Sequence, residues 1–367
     1  MLGATLLVAT SIGIIAPTSA RAAAPVAHDL GTLGGATSRV TAMNSRGGVV
    51  GQAQTASGQF HAFRWTRAGG MQDLGSLGGG TSAATAINAF GVVVGQSFTA
   101  SGVSHAFRWT AATGMRDLGT LGGDTSAAAA VNDLGVIVGS ADTPAGFAHA
   151  FRWGPSSGLR DLGTLGGPGS SATALNDFGQ IAGTASAADG SSHAFRWTAG
   201  QGMRDLGVAA GQGSFGGVIN ARGQVAGALA ISDADVVHPF RWTPGDRLRD
   251  LGALAGGFIG AATDLNSAGE VVGYSGRHAF RWTPTSGLQD LGTLAGGSSR
   301  AAALDDRGTV VGVSDGHAVR WSPRGGLQDL GTLGGPTSDA VAIDARGLVG
   351  GSADTADGNA HATVWTN

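Results

Sequence analysis

The chain has 367 residues and a formal net charge of −3, and only 13% of its residues are charged. It contains no cysteine and its 22 basic residues are all arginine, which excludes disulfides, thiolate nucleophiles, lysine Schiff bases and the lysine-containing phosphate-binding loop. No basic run is present that could neutralise phosphates, so nucleic acid is not an expected partner.

The N-terminal segment differs from the rest of the chain. Residues 2–15 are apolar, and Ala20-Arg21-Ala22 offers a small-x-small cleavage site. This pattern predicts a secretory signal peptide over residues 1–22, because the apolar stretch is shorter than the roughly 20 residues that span a membrane. We therefore expect a secreted, extracellular protein whose mature chain, residues 23–367, is a single domain without a transmembrane segment.

One motif, Asp-Leu-Gly, organises the rest of the sequence. Its successive copies are 39 to 45 residues apart. A period of this size, with four short strands in each unit, predicts a β-propeller. The eight copies begin at Asp29, Asp73, Asp117, Asp161, Asp205, Asp250, Asp290 and Asp329.

The second unit shows the expected strands in chain order. Residues 82–88 are mostly small and predict the innermost strand, which lies at a crowded axis. A turn from Asn88 to Gly91 leads to a β-branched second strand at residues 91–95. Residues 105–109, His-Ala-Phe-Arg-Trp, predict the third strand, with alternate side chains on opposite faces. A fourth strand at residues 115–118 precedes a glycine-rich crossing to the next unit.

Tryptophan occupies one fixed place in every unit, at the end of the third strand. Burying an aromatic side chain stabilises a fold by about 1.5–3 kcal/mol. We therefore expect one tryptophan at each seam between neighbouring blades. The eight residues are Trp65, Trp109, Trp153, Trp197, Trp242, Trp282, Trp321 and Trp365.

The two ends of the repeat are complementary. Residues 26–30 have the pattern of a fourth strand with no third strand before it, and residues 361–365 have that of a third strand with no fourth strand after it. Pairing them would complete the last blade and cover two sheet edges. The sequence thus predicts an all-β fold, an eight-bladed β-propeller built from four-stranded repeats of about 40–45 residues. The N-terminal strand is expected to complete the last blade and so close the ring. We expect the protein to be a monomer.

The repeated motif resembles that of a known family. His-Ala-Phe followed by Arg-Trp and by Asp-Leu-Gly-Thr-Leu-Gly-Gly is similar to the bacterial HAF-repeat family of extracellular proteins, over essentially the whole chain after the predicted signal. The resemblance implies an extracellular repeat protein and brings no assigned activity. The tripeptide departs from the pattern at His238-Pro-Phe, His317-Ala-Val and His361-Ala-Thr, which argues against a role that needs eight identical sites.

The repeated histidines have two interpretations. A metal ring would need ligand atoms within about 4 Å of one another, whereas equivalent residues of packed sheets lie about 10 Å apart. We favour a hydrogen bond inside each blade, to the repeated aspartate or to a strand carbonyl, and expect no metal, no cofactor and no catalytic motif residue. The repeat residues with this structural role include His61, Trp65, His105, Trp109, His149, Trp153, His193, Trp197, His278 and Trp282.

Arginine on the third strand and aspartate on the fourth also recur, as in Arg108 and Asp117. Opposite charges on adjacent strands commonly pair across a sheet. We therefore expect cross-strand Arg–Asp ion pairs in the blades.

The units differ most between the second and third strands. The spacing from the glycine of the second strand to the motif histidine is 10 residues in units one to four and eight, 11 in unit five and 5 in units six and seven. This predicts a rim of longer loops with a notch over blades six and seven, and loops on a rigid scaffold commonly bind ligands. The candidate binding residues on the longer loops are Phe60, Phe98, Phe147, Asp189, Asp233 and Asp235.

These observations predict a secreted, non-catalytic binding scaffold. Phenylalanine beside serine and aspartate on a rim suits an extracellular glycan or protein. The alternative is a secreted polysaccharide or peptide hydrolase or lyase with an acid–base pair at the channel mouth or rim, for which Asp233 and Asp235 are the candidates. Solvated loops of varying length, without a ligand, are a third interpretation of the rim.

Overall fold

The computed structural model describes residues 24–208, 212–231 and 236–366, which form eight four-stranded antiparallel sheets. The sheets are the blades of a propeller, so the predicted eight-bladed β-propeller is confirmed. None of the described segments is helical, and the described chain has no helical membrane span. The predicted signal peptide lies outside the described residues.

Blades one to four have the same strand order from the axis outward. Their strands are β2 (Gly34–Met43), β3 (Val49–Thr55), β4 (Phe60–Thr66) and β5 (Gly70–Asp73); β6 (Gly78–Ile87), β7 (Val93–Thr99), β8 (Ser104–Thr110) and β9 (Gly114–Asp117); β10 (Ser126–Val131), β11 (Ile137–Asp142), β12 (Ala148–Gly154) and β13 (Gly158–Asp161); β14 (Gly166–Leu175), β15 (Ile181–Ala187), β16 (Ser192–Thr198) and β17 (Gly202–Asp205).

Blades five to eight repeat this order, and the first strand of the chain completes blade eight. Their strands are β18 (Ser214–Ile219), β19 (Val225–Ala230), β20 (Val237–Trp242) and β21 (Arg249–Asp250); β22 (Gly260–Leu265), β23 (Val271–Ser275), β24 (His278–Thr283) and β25 (Gly287–Asp290); β26 (Ser299–Leu304), β27 (Val310–Ser314), β28 (His317–Ser322) and β29 (Gly326–Asp329); β30 (Gly334–Ile343), β31 (Val349–Thr355), β32 (Ala360–Thr366) and β1 (Val26–Asp29).

Ring closure follows the predicted scheme. β1 pairs with β32 in antiparallel register from Val26↔Thr366 to Asp29↔Thr363. The Asp29 carboxylate accepts a hydrogen bond from His361 at 2.8 Å, as the equivalent aspartate does in the other blades. The innermost strands of blades eight and one, β30 and β2, contact each other, so no gap separates the first blade from the last.

A β-bulge explains the glycine that closes the Val-Val-Gly motif. In blade two the pairing steps from Ala84↔Gly95 to Ala86↔Val94, and the carbonyl oxygen of Ala83 points at Gly95. A Cβ atom on Gly95 would lie 2.0 Å from that oxygen and 2.9 Å from the Phe107 ring. Only glycine fits between the bulged strand and the aromatic ring.

Every seam between blades has its own hydrophobic core. Between blades one and two, Val50 and Ala62 pack against Val93, Phe107 and Trp109, each of which is at most 4% exposed. The eight seams hold eight clusters of this kind, and each includes one motif tryptophan. The prediction of one tryptophan at each seam is therefore confirmed.

Buried serines fasten one blade to the next. Ser126 of blade three accepts a hydrogen bond from the N–H of Ala106 in blade two and donates one to the carbonyl of Gly119 in the crossing segment. We call this arrangement the serine clasp. The same pair of hydrogen bonds is made by Ser38, Ser82, Ser170, Ser299 and Ser338.

The predicted cross-strand Arg–Asp pairs are wrong. In blade two Asp117 lies opposite Phe107, whereas Arg108 lies opposite Arg116, so Arg108 and Asp117 point to different faces of the sheet. The Arg108 guanidinium instead lies 5.8 Å from the centre of the Trp153 ring in blade three. Similar cation–π contacts join Arg196 to Trp242, Arg241 to Trp282 and Arg281 to Trp321.

Candidate functional site

The antiparallel strand order gives the propeller two different faces. The crossover face carries the hairpins between second and third strands and the segments that cross to the next blade. The turn face carries the turns between first and second strands and those between third and fourth strands. Residues that the repeat does not require occur on both faces, and these are the candidates for function.

The rim residues predicted from the sequence lie along the crossover face. Phe98 and Phe147 are exposed, Phe60 is partly buried, and Asp189 is exposed. These four residues belong to four successive blades, so they form a series along the rim and do not share one pocket. Asp233 and Asp235 lie outside the described residues.

The hairpins differ in length as the sequence indicated. Two residues join β23 to β24 in blade six and β27 to β28 in blade seven, whereas the equivalent strands are joined by four residues in blades one, two, four and eight and by five in blade three. The rim is therefore lower over blades six and seven. Asp315, in the blade-seven hairpin, accepts hydrogen bonds from the N–H groups of Ala295 and Ser298 in the crossing segment, and these bonds lower its pKa.

The motif histidines bond to the motif aspartates, which is the first of the two partners considered. The Nδ1 atom of each histidine lies 2.7–3.0 Å from the carboxylate of the fourth strand in all eight blades. The aspartate makes a second contact with the crossing segment: in blade four, for example, Asp205 accepts a hydrogen bond from the N–H of Gly207 at 2.8 Å. The pair thus ties the third strand to the fourth and to the crossing segment, which is a scaffold role.

Blade four adds a serine to this pair. The Oγ atom of Ser191 lies 2.9 Å from Nε2 of His193, whose Nδ1 atom lies 2.7 Å from Asp205. A serine, a histidine and an aspartate thus lie in hydrogen-bond series. Ser191 is not among the site residues predicted from the sequence, although unit four is the only unit with a serine two residues before its motif histidine.

The turn face carries a ring of side chains at the third residue of each turn between first and second strands. Three successive tips are exposed apolar residues, Phe90 (67%), Leu134 (69%) and Phe178 (75%). Four other tip residues are exposed arginines, so one part of the ring is apolar and another part is basic. The eight tip residues are Arg46, Phe90, Leu134, Phe178, Arg222, Ala268, Arg307 and Arg346.

A belt of buried asparagines holds these tips in place. Asn88 accepts the N–H groups of Phe90 and Val92 through Oδ1 and donates through Nδ2 to the carbonyl of Asn132 in the next blade. In blade seven an aspartate replaces the asparagine and cannot donate. There the Arg307 side chain donates to the carbonyl of Ala345 in blade eight at 2.6 Å.

A cavity of about 760 Å³ opens on the turn face where blades eight, one and two meet. Its lining includes Arg46, Arg64, Arg67, Phe90 and Arg346. The guanidinium of Arg46 lies 5.2 Å from the centre of the Phe90 ring. The cavity is therefore basic and partly aromatic, since it is lined by turn-tip residues and by arginines of blade one. We call it the seam cavity.

The first strand of blade six carries a carboxylate at a position that is apolar in the other blades. Asp264 of β22 accepts hydrogen bonds from its neighbour Leu265 at 2.8 Å and from Leu304 of blade seven at 2.9 Å. The residue keeps part of its surface exposed, but its carboxylate is enclosed by protein, and this burial raises its pKa to about 6. Among the described residues, no group of three or more side chains is arranged to hold a metal ion.

The chain is similar in fold to several solved structures at low sequence identity. No protein-family model matches the chain, and no curated protein does. TolB from Acinetobacter baumannii is 13% identical, with 66% of this chain and 60% of that chain covered and a TM-score of 0.40. The BP39L lectin from Burkholderia pseudomallei is 8% identical, with 89% and 98% covered and a TM-score of 0.45. A puromycin-hydrolyzing peptidase from Mycobacterium tuberculosis is 13% identical, with 89% and 60% covered and a TM-score of 0.46.

These similarities concern the fold alone. The chain spans 60% of the length of TolB and of the peptidase. The identities are 8–13%, and a similar fold does not by itself imply a similar function.

Proposed function

We propose that the protein is a secreted binding scaffold for acidic glycans and that the seam cavity is its binding site. The observation that carries the proposal is the meeting of Arg46, Arg67 and Phe90 around a space of about 760 Å³. That volume lies in the range of small-ligand sites in proteins, roughly 300–1,000 Å³. It can hold one or two sugar rings.

The side chains suit a ligand that has both a carboxylate and a ring. A guanidinium presents a planar set of N–H donors that matches a carboxylate with two parallel hydrogen bonds. A phenyl ring offers a flat apolar surface to the C–H face of a sugar. Because Arg46 lies over Phe90, a single acidic sugar ring can meet both groups at once.

The charge of the cavity supports an anionic ligand. Asp29 lines the cavity, and its carboxylate is hydrogen-bonded to His361. The side chain of Asp344 on the turn face is 1% exposed, and it already accepts two hydrogen bonds from the Arg346 guanidinium. Within the described residues the only arginines in ion pairs are Arg281 and Arg346, so Arg46 and Arg67 bring uncompensated positive charge to the cavity.

The test is the binding of oligogalacturonate, measured by calorimetry, with its methyl-esterified form as the uncharged comparison. We expect the acidic form to bind, the ester to bind at least tenfold more weakly, and Phe90→Ala and Arg46→Ala to weaken binding at least tenfold. One lost charge-assisted hydrogen bond or ring contact is worth about 1.5 kcal/mol, which is roughly a factor of ten.

The chain itself supplies matched controls for this experiment. Phe178→Ala and Arg222→Ala remove the same residue types at the same turn position of blades four and five, outside the seam cavity. Both should bind like the unmodified protein. Equal losses in the control and cavity variants, or equal binding of the acidic and esterified forms, would contradict the proposal.

A further inference from the structure

We infer that Ser191 of blade four is a nucleophile that hydrolyses acyl esters, with His193 as its general base and Asp205 as the group that orients the histidine. The site lies on the crossover face, whereas the seam cavity lies on the turn face. The inference therefore adds an activity to the proposed binding function and does not depend on it.

The contacts are those that nucleophilic catalysis by serine requires. Ser191 Oγ lies 2.9 Å from His193 Nε2, and His193 Nδ1 lies 2.7 Å from Asp205. A carboxylate at Nδ1 keeps the proton on that nitrogen, so Nε2 of the neutral ring is an acceptor for the serine proton. Asp205 is itself held by the N–H of Gly207. The base is thus fixed in tautomer and in orientation.

The other seven blades show that the serine is an addition to a structural pair. Each has the same histidine–aspartate contact, but none has a serine two residues before the histidine. The residues at that place are Gln59, Val103, Phe147, Val236, Gly276, Asp315 and Asn359. Blade two has the same third-strand sequence as blade four, Ser-His-Ala-Phe-Arg-Trp-Thr, and the same histidine–aspartate pair. It differs in having Val103 where blade four has Ser191.

Asp189 competes with the histidine for the serine proton. Its carboxylate accepts hydrogen bonds from the Ser191 hydroxyl and from the Ser191 N–H. These bonds lower the pKa of Asp189, so it is ionised at neutral pH. The hydroxyl can donate to Asp189 or to His193 but not to both, and only the second arrangement prepares Ser191 for attack. Asp189 thus restrains the nucleophile.

The reaction balances with water as the only co-reactant. The Ser191 oxygen attacks the carbonyl carbon of the ester while its proton passes to Nε2 of His193. The C–O bond to the alcohol breaks, and the alcohol leaves with that proton. Water then attacks the acyl-serine, again giving a proton to Nε2. The acid departs and the proton returns to Ser191, so that ester and water become acid and alcohol.

The test is covalent labelling of the intact protein by a fluorophosphonate, with the labelled residue identified by peptide mass. We expect Ser191 to be labelled and Ser191→Ala to abolish labelling of that peptide. A general base contributes about 10²–10⁴ in rate, so His193→Ala should slow labelling at least about 100-fold. Asp189→Ala should speed it, because the competing acceptor is gone.

A matched variant separates chemistry from structure. His105→Ala removes the same histidine–aspartate pair in blade two, which has no adjacent serine, and should leave the labelling of Ser191 unchanged. Labelling that survives His193→Ala would overturn the inference. So would the absence of label on Ser191 in both the unmodified protein and Asp189→Ala.

Discussion

At the scale of single residues, Asp264 departs most sharply from its repeat. The equivalent residue, paired at the same bulge step, is alanine in six blades and Val218 in blade five. Asp264 replaces a small apolar side chain with a carboxylate whose pKa is raised to about 6 by burial. A raised pKa means that the folded protein binds this proton more tightly than the unfolded chain does.

The sign of the resulting pH dependence follows. As pH rises from about 4 to about 6, the folded protein increasingly has to hold a charged, enclosed carboxylate, so the contribution of Asp264 to stability falls by up to about 3 kcal/mol. Asp264→Ala removes this effect. We expect the free energy of unfolding in urea, measured between pH 4 and pH 7, to shift in favour of the variant through this window and then to level off. Parallel curves for the two proteins would contradict the assignment.

Repetition determines which residues could be assigned from the sequence. The His105–Asp117 pair could be foreseen because both residues recur in every unit, and a pair that recurs is structural first. Ser191 occurs once at its place in the repeat, and phenylalanine occupies the place of Phe90 in only two of the eight units, so no recurring pattern marks either residue. Their significance depends on what lies beside them in the fold, which a single sequence does not record. Phe98 and Phe147 are visible as rim residues, yet each stands on a different blade.

At the scale of strands, pairing partners decide where an element ends. The apolar pattern predicted a second strand at residues 91–95, whereas β7 runs over Val93–Thr99. Gln96, Ser97 and Phe98 are not an apolar run, but they pair with the third strand, as in Ser97↔His105. The extension comes from hydrogen bonds to a neighbouring strand, and side-chain periodicity does not report those bonds.

At the seam between blades five and six the serine of the clasp is missing, and the residue that would donate to it has changed as well. Gly260 takes the place of the serine in blade six, and Pro239 takes the place of the alanine in blade five. Proline has no N–H to donate, so a serine would have no donor at this seam. A Cβ atom on Gly260 would also lie 3.2 Å from the Cδ atom of Pro239, in addition to lying 2.8 Å from the carbonyl oxygen of Tyr274. The two departures from the repeat therefore explain each other.

Restoring both residues should restore the hydrogen bond. Gly260→Ser alone should destabilise the protein because the new side chain meets the proline ring, and Pro239→Ala alone leaves an N–H without its serine acceptor. We expect the double variant to be more stable than the sum of the single effects by about 1–2 kcal/mol. Urea unfolding of the four proteins measures this coupling, and strictly additive effects would show that the clasp carries no energy here.

At the scale of the whole molecule, stability depends on how the ring is shut. Seven blades are continuous stretches of chain, whereas blade eight is assembled from β30, β31, β32 and β1. The seam next to this joint buries Leu30, Val40, Phe63 and Val364 in one cluster. Opening the ring would expose that cluster and the edge of β32, so backbone pairing and side-chain packing act together at the joint.

Two circular permutants separate these contributions. Both join Thr366 to Val26 through a three-residue turn like residues 111–113 of blade two. One begins at Gly114, which makes blade two the split blade and keeps closure by strand pairing. The other begins at Thr125, which cuts between blades two and three and leaves closure to side-chain packing alone.

We expect the permutant that begins at Gly114 to unfold in urea with a midpoint close to that of the unmodified protein. The permutant that begins at Thr125 should unfold at a clearly lower midpoint or in more than one step. A terminal blade held only by packing can separate without breaking a sheet, and the ring then loses its cooperativity. Equal midpoints for the two permutants would assign closure to the eight hydrophobic seams and leave the strand pairing of blade eight without an energetic role.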